Sequence, residues 1–168
     1  TRTVLVDDPD ADLGAPVISP DGTRVAYRRT SLSTPHVAPR VTLELLELDD
    51  PDARPRTLVP DWDRWPTCHQ WLPDGSALVV VADQDGRAPV FQVNLGDAEN
   101  PDGTVEQITH DDYCYSDLQV APDATVVYAM RTSYLAPNHP VRVQLEPAIN
   151  RPRGSVTVLR APAGPPTL

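Results

Sequence analysis

Aromatic and sulfur-containing side chains are scarce in this chain of 168 residues, which has one Phe, one Met, three Trp and two Cys. Two cysteines do not make a disulfide framework, which favours a reducing compartment, and we expect the cytoplasm. No apolar run is longer than the six residues Ala77–Ala82. A run this short excludes a transmembrane helix and a signal-peptide core from the chain as given, so no membrane association is predicted.

Basic residues are also few, with 14 Lys and Arg against 24 Asp and Glu and a net charge of −10. Nothing basic clusters to neutralise phosphates, so nucleic acid is not an expected partner. Eight glycines against twenty prolines disfavour long helices and are typical of a loop-rich β protein. The sequence Gly-x-Ser-x-Gly, which marks the nucleophile elbow of α/β-hydrolases, is absent. We therefore predict no catalytic residue, no metal site and no cofactor in these residues.

One turn sequence occurs three times and is followed each time by an apolar, strand-like run. The copies are Pro20-Asp21-Gly22, Pro73-Asp74-Gly75 and Pro122-Asp123-Ala124, whose prolines lie 53 and 49 residues apart. Proline fixes φ at the second position of a type I turn, and glycine adopts the left-handed φ at the fourth. Ala124 in the third copy is therefore expected to cost about 1 kcal/mol or to change the shape of the turn.

A second landmark keeps the same period, because Leu5, Leu58 and Ile108 each precede a turn proline by fourteen or fifteen residues. Each unit also offers four strand-like runs, which in the second unit are Cys68–Leu72, Ala77–Asp83, Val90–Leu95 and Thr104–His110. Four strands in about fifty residues are typical of a β-propeller blade. The sequence thus predicts an all-β fold, a partial β-propeller of about three four-stranded antiparallel blades.

The predicted boundaries are 7–60, 61–110 and 111–160 for the blades, 1–6 for the outer strand of a neighbouring blade, and 161–168 for a linker or tail. Closed propellers have four to eight blades, so three blades leave faces and strand edges without a partner. Self-association through these open edges is therefore a further expectation.

Acidic and aromatic residues concentrate where one unit connects to the next. In a four-stranded blade these connectors lie on one face, together with the loops that hold His36, Tyr134 and His139. Carboxylates around one mouth favour cationic peptide ends, and aromatic side chains in loops bind peptides or dock a partner. A solvated acidic rim and ordinary packing between blades are the alternatives. The candidate residues in the connectors are Asp61, Trp62, Asp63, Trp65, Asp111, Asp112, Tyr113 and Tyr115.

Cys68 and His69 could meet His110 and Cys114 as a metal-binding set across two blades. The two cysteines differ in strand position by roughly 10 Å, however, which is too far for a shared ion or a disulfide. Ser116 lies near His110 in sequence, but no strand-to-helix elbow presents it as a nucleophile.

The Ser19-Pro-Asp-Gly22 turn before a strand, with a Leu-Thr-like strand ending the unit before it, resembles the blades of TolB and of prolyl-oligopeptidase-type (S9) serine peptidases. The segment 107–123, followed by Arg131-Thr-Ser-Tyr134 and His139-Pro140, resembles acylaminoacyl peptidases and dipeptidyl aminopeptidases of that group. The resemblance covers about residues 1–146. It implies a non-catalytic N-terminal propeller segment that docks an α/β-hydrolase domain of the same parent chain and restricts access to short peptides. A TolB-like scaffold that binds protein partners without peptidase activity is the alternative.

Overall fold

The computed structural model describes residues 3–97 and 100–159, in which twelve strands and no helix occur. The strands form three antiparallel sheets, each in chain order: β1 to β4 (sheet 1), β5 to β8 (sheet 2) and β9 to β12 (sheet 3). This confirms the all-β fold class with three four-stranded sheets. The predicted linker 161–168 lies outside the described residues. The bounds are β1 Ala11–Ile18, β2 Arg24–Ser31, β3 Val41–Glu47, β4 Arg56–Leu58, β5 Pro66–Trp71, β6 Ala77–Ala82, β7 Val90–Asn94, β8 Thr104–Gln107, β9 Cys114–Val120, β10 Val126–Ser133, β11 Ala136–Gln144 and β12 Val156–Val158.

Sheet 2 lies between the other two sheets and is covered on both faces. All six residues of β6 are buried. Because side chains alternate along a strand, Leu78 and Val80 pack with sheet 1 while Val79 and Val81 pack with sheet 3. The three sheets are therefore stacked like consecutive blades, and their strands span 11–58, 66–107 and 114–158. No helix in the described part of the chain could cross a membrane.

The three repeated turns all form, and the third keeps the shape of the others. The amides of Gly22, Gly75 and Ala124 each donate to a carbonyl three residues earlier at 2.9 Å. The φ angles are 77° at Gly22, 71° at Gly75 and 57° at Ala124. Of the two outcomes expected for Ala124, the structure thus shows the strained left-handed residue and not a different turn.

Replacing Ala124 with glycine is expected to stabilise the protein by about 0.5–1 kcal/mol, because the left-handed strain is relieved at some cost in unfolded-chain entropy. The matched control is Gly22→Ala, since an added Cβ there meets no heavy atom within 4 Å and only the φ of +77° is strained. We expect that control to be destabilised. Urea denaturation measures both changes, and an Ala124→Gly variant no more stable than the wild type would contradict the assignment.

The turn aspartates hold these turns with hydrogen bonds. Asp21 Oδ1 accepts from Ser19 Oγ at 2.5 Å and from the Thr23 amide at 3.1 Å. Asp74 accepts from the Ser76 amide, and Asp123 accepts from the Thr125 amide. The Ser19 hydroxyl and the Thr23 amide lower the pKa of Asp21 from 3.8 to about 2, and the amides of Ser76 and Thr125 lower the pKa of Asp74 and Asp123.

These lowered pKa values predict how stability depends on pH. A carboxyl whose folded-state pKa is below its unfolded value stabilises fully above the unfolded pKa and loses this contribution as the pH falls through the folded pKa. We therefore expect the free energy of unfolding to decrease between about pH 4 and pH 2. Asp21→Asn should flatten this decrease, whereas Asp49→Asn, at an exposed residue, should not; equal pH profiles for the two variants would be evidence against the turn assignment.

Residues 3–6, the described part of the predicted outer strand 1–6, form no strand. Leu5 is 65% exposed, whereas Leu58 and Ile108 at the equivalent landmark positions are 2% and 3% exposed. Leu58 lies on the fourth strand of sheet 1, Ile108 directly follows the fourth strand of sheet 2, and both residues pack into the core between sheets. No such sheet precedes Leu5 in the described residues, so the segment lies across sheet 1 without strand partners, and its role as the outer strand of a neighbouring blade stays a prediction.

Two strands also begin earlier than the sequence predicts. The sequence predicts an acidic connector over 7–15 and a loop over 133–140, whereas the structure begins β1 at Ala11 and β11 at Ala136. Arg131 pairs with His139 in the β10–β11 ladder, which places His139 on a strand and not in a loop. The Pro140 carbonyl accepts from the Leu159 amide on the β12 side, so the missing N–H of Pro140 also faces that side and the β10–β11 ladder loses no hydrogen bond.

Candidate functional site

The candidate residues of the second connector come together at one end of sheet 3. We call this end the connector face; it holds the connectors 59–65 and 108–113 and the turns β2–β3, β6–β7 and β10–β11. Asp111 lies at its centre, where Oδ2 accepts from Arg131 Nη1 at 2.9 Å and from the Tyr115 hydroxyl at 2.7 Å. Its second oxygen, Oδ1, is buried and has no hydrogen-bond partner in the described part of the chain.

Arg131 is the residue that links the members of this cluster. Its guanidinium carbon lies 3.9 Å from the centre of the Tyr113 ring, a close cation–π contact. Its Nε lies 3.4 Å from Nε2 of His139, and Nδ1 of His139 lies 2.8 Å from the Pro137 carbonyl oxygen. These contacts assign the proton of the neutral imidazole to Nδ1, which donates to the carbonyl, while Nε2 accepts from the arginine.

Burial and charge shape the chemistry of this cluster. The Arg131 side chain is only 11% exposed, and Asp111 is 29% exposed, so their ion pair is partly desolvated. Tyr115 is 3% exposed, and its burial raises the pKa of the phenol well above the usual value of 10. The cluster thus holds a tethered carboxylate, two phenol groups and an imidazole, and it can bind polar groups. Ser116 donates to Asp117 and not to a histidine, so no nucleophile is activated there.

Neighbouring contacts fix the connector to sheet 2. Arg87 Nη2 in the β6–β7 turn lies 2.6 Å from Asp112 Oδ1. The Tyr115 amide donates to the Ala88 carbonyl at 2.9 Å, which places the beginning of β9 beside the same turn. Asp112 therefore ties two sheets together, although both partners of its ion pair are exposed.

The first connector is arranged differently. Trp62 packs edge to face against Phe91, with ring centres 5.1 Å apart, so its indole is partly structural. Trp65 is 45% exposed and lines a cleft of about 290 Å³ with Asp63, Arg64 and the turn 83–85. Asp61 and Asp63 are exposed carboxylates, and neither accepts a hydrogen bond in the described residues.

Two candidates do not join the cluster. His36 lies in the exposed β2–β3 turn, where its amide donates to Thr34 Oγ1 at 3.3 Å. Tyr134 lies at the tip of the β10–β11 turn and is fully exposed. Cys68 and Cys114 are half-buried free thiols.

The Asp111–Arg131 pair has an equivalent in the first unit that sequence reasoning missed. Asp8 and Arg29 occupy the same positions relative to the landmark and the turn proline, and they are joined at 2.7 Å. In the second unit Ala82 replaces the arginine, and Asp61 has no such partner among the described residues. The sequence feature that could have revealed both ion pairs is an arginine nine residues after the turn proline, which occurs in units one and three.

No protein-family model matches the chain. A stretch of 82 residues, 49% of the chain, is 33% identical to dipeptidyl-peptidase 5 of Aspergillus fumigatus and 30% identical to a probable dipeptidyl-peptidase 5 of Aspergillus clavatus. The match spans 11% of the length of these curated relatives.

Among solved structures, TolB from Acinetobacter baumannii aligns with 95% of this chain and 35% of its own, with a TM-score of 0.67 and 19% identity. A puromycin-hydrolyzing peptidase from Mycobacterium tuberculosis aligns with 93% of this chain and 30% of its own, with a TM-score of 0.47 and 15% identity. The TolB alignment shows the fold. The chain is thus a partial β-propeller whose sequence is similar over about half its length to dipeptidyl-peptidase 5, which confirms the resemblance stated from the sequence.

Proposed function

We propose that the chain is the non-catalytic propeller segment of a serine peptidase of the prolyl oligopeptidase group. The observation that carries this proposal is the 33% identity to dipeptidyl-peptidase 5 over 82 residues. Because the chain contains no Gly-x-Ser-x-Gly, the proposal assigns the bond-breaking residues to another part of the parent chain. On this proposal a hydrolase domain of the parent chain docks against the propeller, and the propeller restricts access to short peptides.

Within this proposal the connector face meets the peptide. Asp111 is neutralised by Arg131, so the free carboxylates of Asp61 and Asp63 are the groups that would attract a cationic peptide end. Trp65 lies beside them and offers an exposed aromatic surface for a peptide side chain. The Asp111 cluster would hold the neighbouring connector rigid.

The proposal is tested first on the chain itself and on its coding region. The isolated chain should not cleave dipeptidyl or acyl-aminoacyl chromogenic substrates, and the parent reading frame should carry Gly-x-Ser-x-Gly followed by Asp and then His. Activity of the isolated chain, or a parent frame without these residues, would contradict the proposal.

The binding role is tested by kinetics of the parent enzyme. Asp61→Asn together with Asp63→Asn should raise KM for peptides with a free amino terminus, with kcat little changed, because an attraction in the ground state is lost. Asp49→Asn together with Asp52→Asn removes the same number of charges from exposed residues at the opposite end of sheet 1 and serves as the control. An unchanged KM in the double variant would assign the two carboxylates to a solvated rim.

A TolB-like scaffold that binds proteins is the second candidate, and it is compatible with the propeller fold that the alignment with TolB shows. It requires no hydrolase domain, so a parent frame without the peptidase residues would favour this candidate. For either function we propose a cytoplasmic location, which the two free thiols support; alkylation of both thiols in intact cells would test it.

A further inference from the structure

Two cavities adjoin each other between sheet 1 and the segment 3–8 that crosses its outer face. The first is apolar, has a volume of about 310 Å³ and is lined by side chains that include Leu13, Val25 and Leu46. The second is polar and has a volume of about 470 Å³. Val6 and Tyr27 line both cavities, so the two meet at these side chains. The charged residues that line the polar cavity are Asp7, Asp8, Arg29, Arg40 and Glu44.

Glu44 supplies a buried carboxylate to the polar cavity. It is 5% exposed, and its Oε1 accepts from Thr42 Oγ1 at 2.7 Å and from Thr57 Oγ1 at 2.9 Å. Its Oε2 only shares the Thr57 hydroxyl, at 3.1 Å. Because a carboxylate offers about four acceptor sites, Oε2 can accept further hydrogen bonds from a ligand.

The phenol of Tyr27 is buried beside this carboxylate without a hydrogen bond. Tyr27 is 6% exposed, and its hydroxyl has no partner among the described residues. Burial, and after it the charge of Glu44, raises the pKa of Tyr27 to about 12, and the charges of Arg29 and Asp8 also act on it. The hydroxyl therefore lies near the charged groups of the polar cavity and stays protonated, so it can donate to a ligand.

Two guanidinium groups add further donors to the polar cavity. Arg29 Nε lies 2.7 Å from Asp8 Oδ2, whereas its Nη1 and Nη2 form no hydrogen bond within the described ranges. Arg40 is exposed and donates from Nη2 to the Pro60 carbonyl, so it lies where the cavity opens to solvent. The planar donor array of a guanidinium matches the two oxygens of a carboxylate.

The repeat does not require polar side chains at this position. Tyr27 and Glu44 are partners in the β2–β3 ladder, at the seventh residue after the turn proline. In the other two units the equivalent pairs are apolar and buried; they are Val80 with Phe91 and Ala129 with Val141. Those pairs serve the packing between sheets. Only the first unit places a phenol and a carboxylate here, at the wall of a cavity.

We propose that the two cavities bind a free apolar α-amino acid such as leucine. Its carboxylate contacts Arg29 and Arg40, its ammonium group contacts Glu44, and its side chain enters the apolar cavity. The charges favour a zwitterion, because an anion alone would lie beside Glu44 and a cation alone would lie beside two arginines. All the lining residues lie between 3 and 60, so the site requires no other part of a parent chain. The proposal does not depend on the peptidase function.

The first test is isothermal titration calorimetry of the chain with leucine and with three probes that each lack one part of it. Leucine should bind with a Kd below about 1 mM. Isocaproate lacks the ammonium group, isoamylamine lacks the carboxylate, and alanine lacks the long side chain. Each probe should bind at least about tenfold more weakly than leucine, because one set of contacts is lost. No binding of leucine, or a probe that binds as tightly as leucine, would overturn the proposal.

The second test uses variants that change one charge at a time. Glu44→Gln keeps an acceptor for the two threonine hydroxyls and should weaken leucine binding by at least about tenfold. It should bind isocaproate no more weakly than the wild type does, since this probe has no ammonium group. Arg40→Gln, at an exposed residue, should also weaken leucine binding and remains informative if Glu44→Gln does not fold.

The matched controls are Glu47→Gln and Arg54→Gln, which make the same charge changes at exposed residues outside both cavities. Both should bind leucine as the wild type does, and circular dichroism establishes that each variant is folded. Equal affinities for leucine in Arg40→Gln and Arg54→Gln would overturn the proposal. Wild-type affinity in a folded Glu44→Gln variant would overturn it as well.

Discussion

Leu78→Asp and Val79→Asp are each expected to prevent folding, although the two residues point to opposite faces of β6. Leu78 packs into the core shared with sheet 1, and Val79 packs into the core shared with sheet 3; both are fully buried. An unpaired carboxylate in either core costs several kcal/mol, which is a large part of the 5–15 kcal/mol that stabilises a typical domain. Circular dichroism and thermal unfolding would show the loss.

The matched control for this pair lies on β10, which has one open face. Val127 is fully buried against sheet 2, whereas Tyr128 is 42% exposed on the other face. We expect Val127→Asp to unfold the protein and Tyr128→Asp to leave it folded. A folded Leu78→Asp or Val79→Asp variant would mean that sheet 2 is not covered on both sides.

Arg131→Ala is expected to destabilise the protein by about 2–3 kcal/mol, below the 3–5 kcal/mol typical of a fully buried pair, because Asp111 is partly exposed. The loss leaves the Asp111 carboxylate without its cation and removes the contact with the Tyr113 ring. Urea denaturation would measure this decrease in the free energy of unfolding, with an m-value equal to that of the wild type.

Arg87→Ala is the matched control, because it also removes an arginine paired with an aspartate of the same connector. That pair is 50% and 77% exposed, so the expected cost is below about 1 kcal/mol. Arg131→Lys should keep part of the stability, since lysine supplies the charge without the planar group that stacks on Tyr113. Equal losses for Arg131→Ala and Arg87→Ala would argue against the central role of Arg131.

The sequence predicts those parts of the fold that depend on local chemistry. The three Pro-Asp turns have fixed dihedral requirements, and the strand runs of the second unit agree with β5 to β8 to within three residues at each end. The three sheets follow from the repeat of about fifty residues, because the four consecutive strands of one unit, joined by their own turns, pair with each other. The sequence likewise shows Asp111, Tyr113 and Tyr115 close together where the second unit connects to the third, although Tyr115 lies on β9.

The contacts that organise the site depend on distant pairings and could not be read from local pattern. Arg131 is twenty residues from Asp111, and only the β9–β10 register places it beside Tyr115. The sequence does not distinguish Glu44 from the other carboxylates of this acidic chain, because its burial depends on how the strands of sheet 1 pair and are covered. The sequence predicts a loop at His139, whereas the pairing of β11 with β10 places this residue on a strand.

The central claim is that three four-stranded sheets are stacked with sheet 2 in the middle. Methyl–methyl nuclear Overhauser contacts test it most directly, because Leu78 and Val80 should contact only sheet 1 outside their own sheet, and Val79 and Val81 should contact only sheet 3. Contacts from all four side chains to the same neighbouring sheet, or amide pairing that joins β4 to β5 or β8 to β9 in one continuous sheet, would contradict the account.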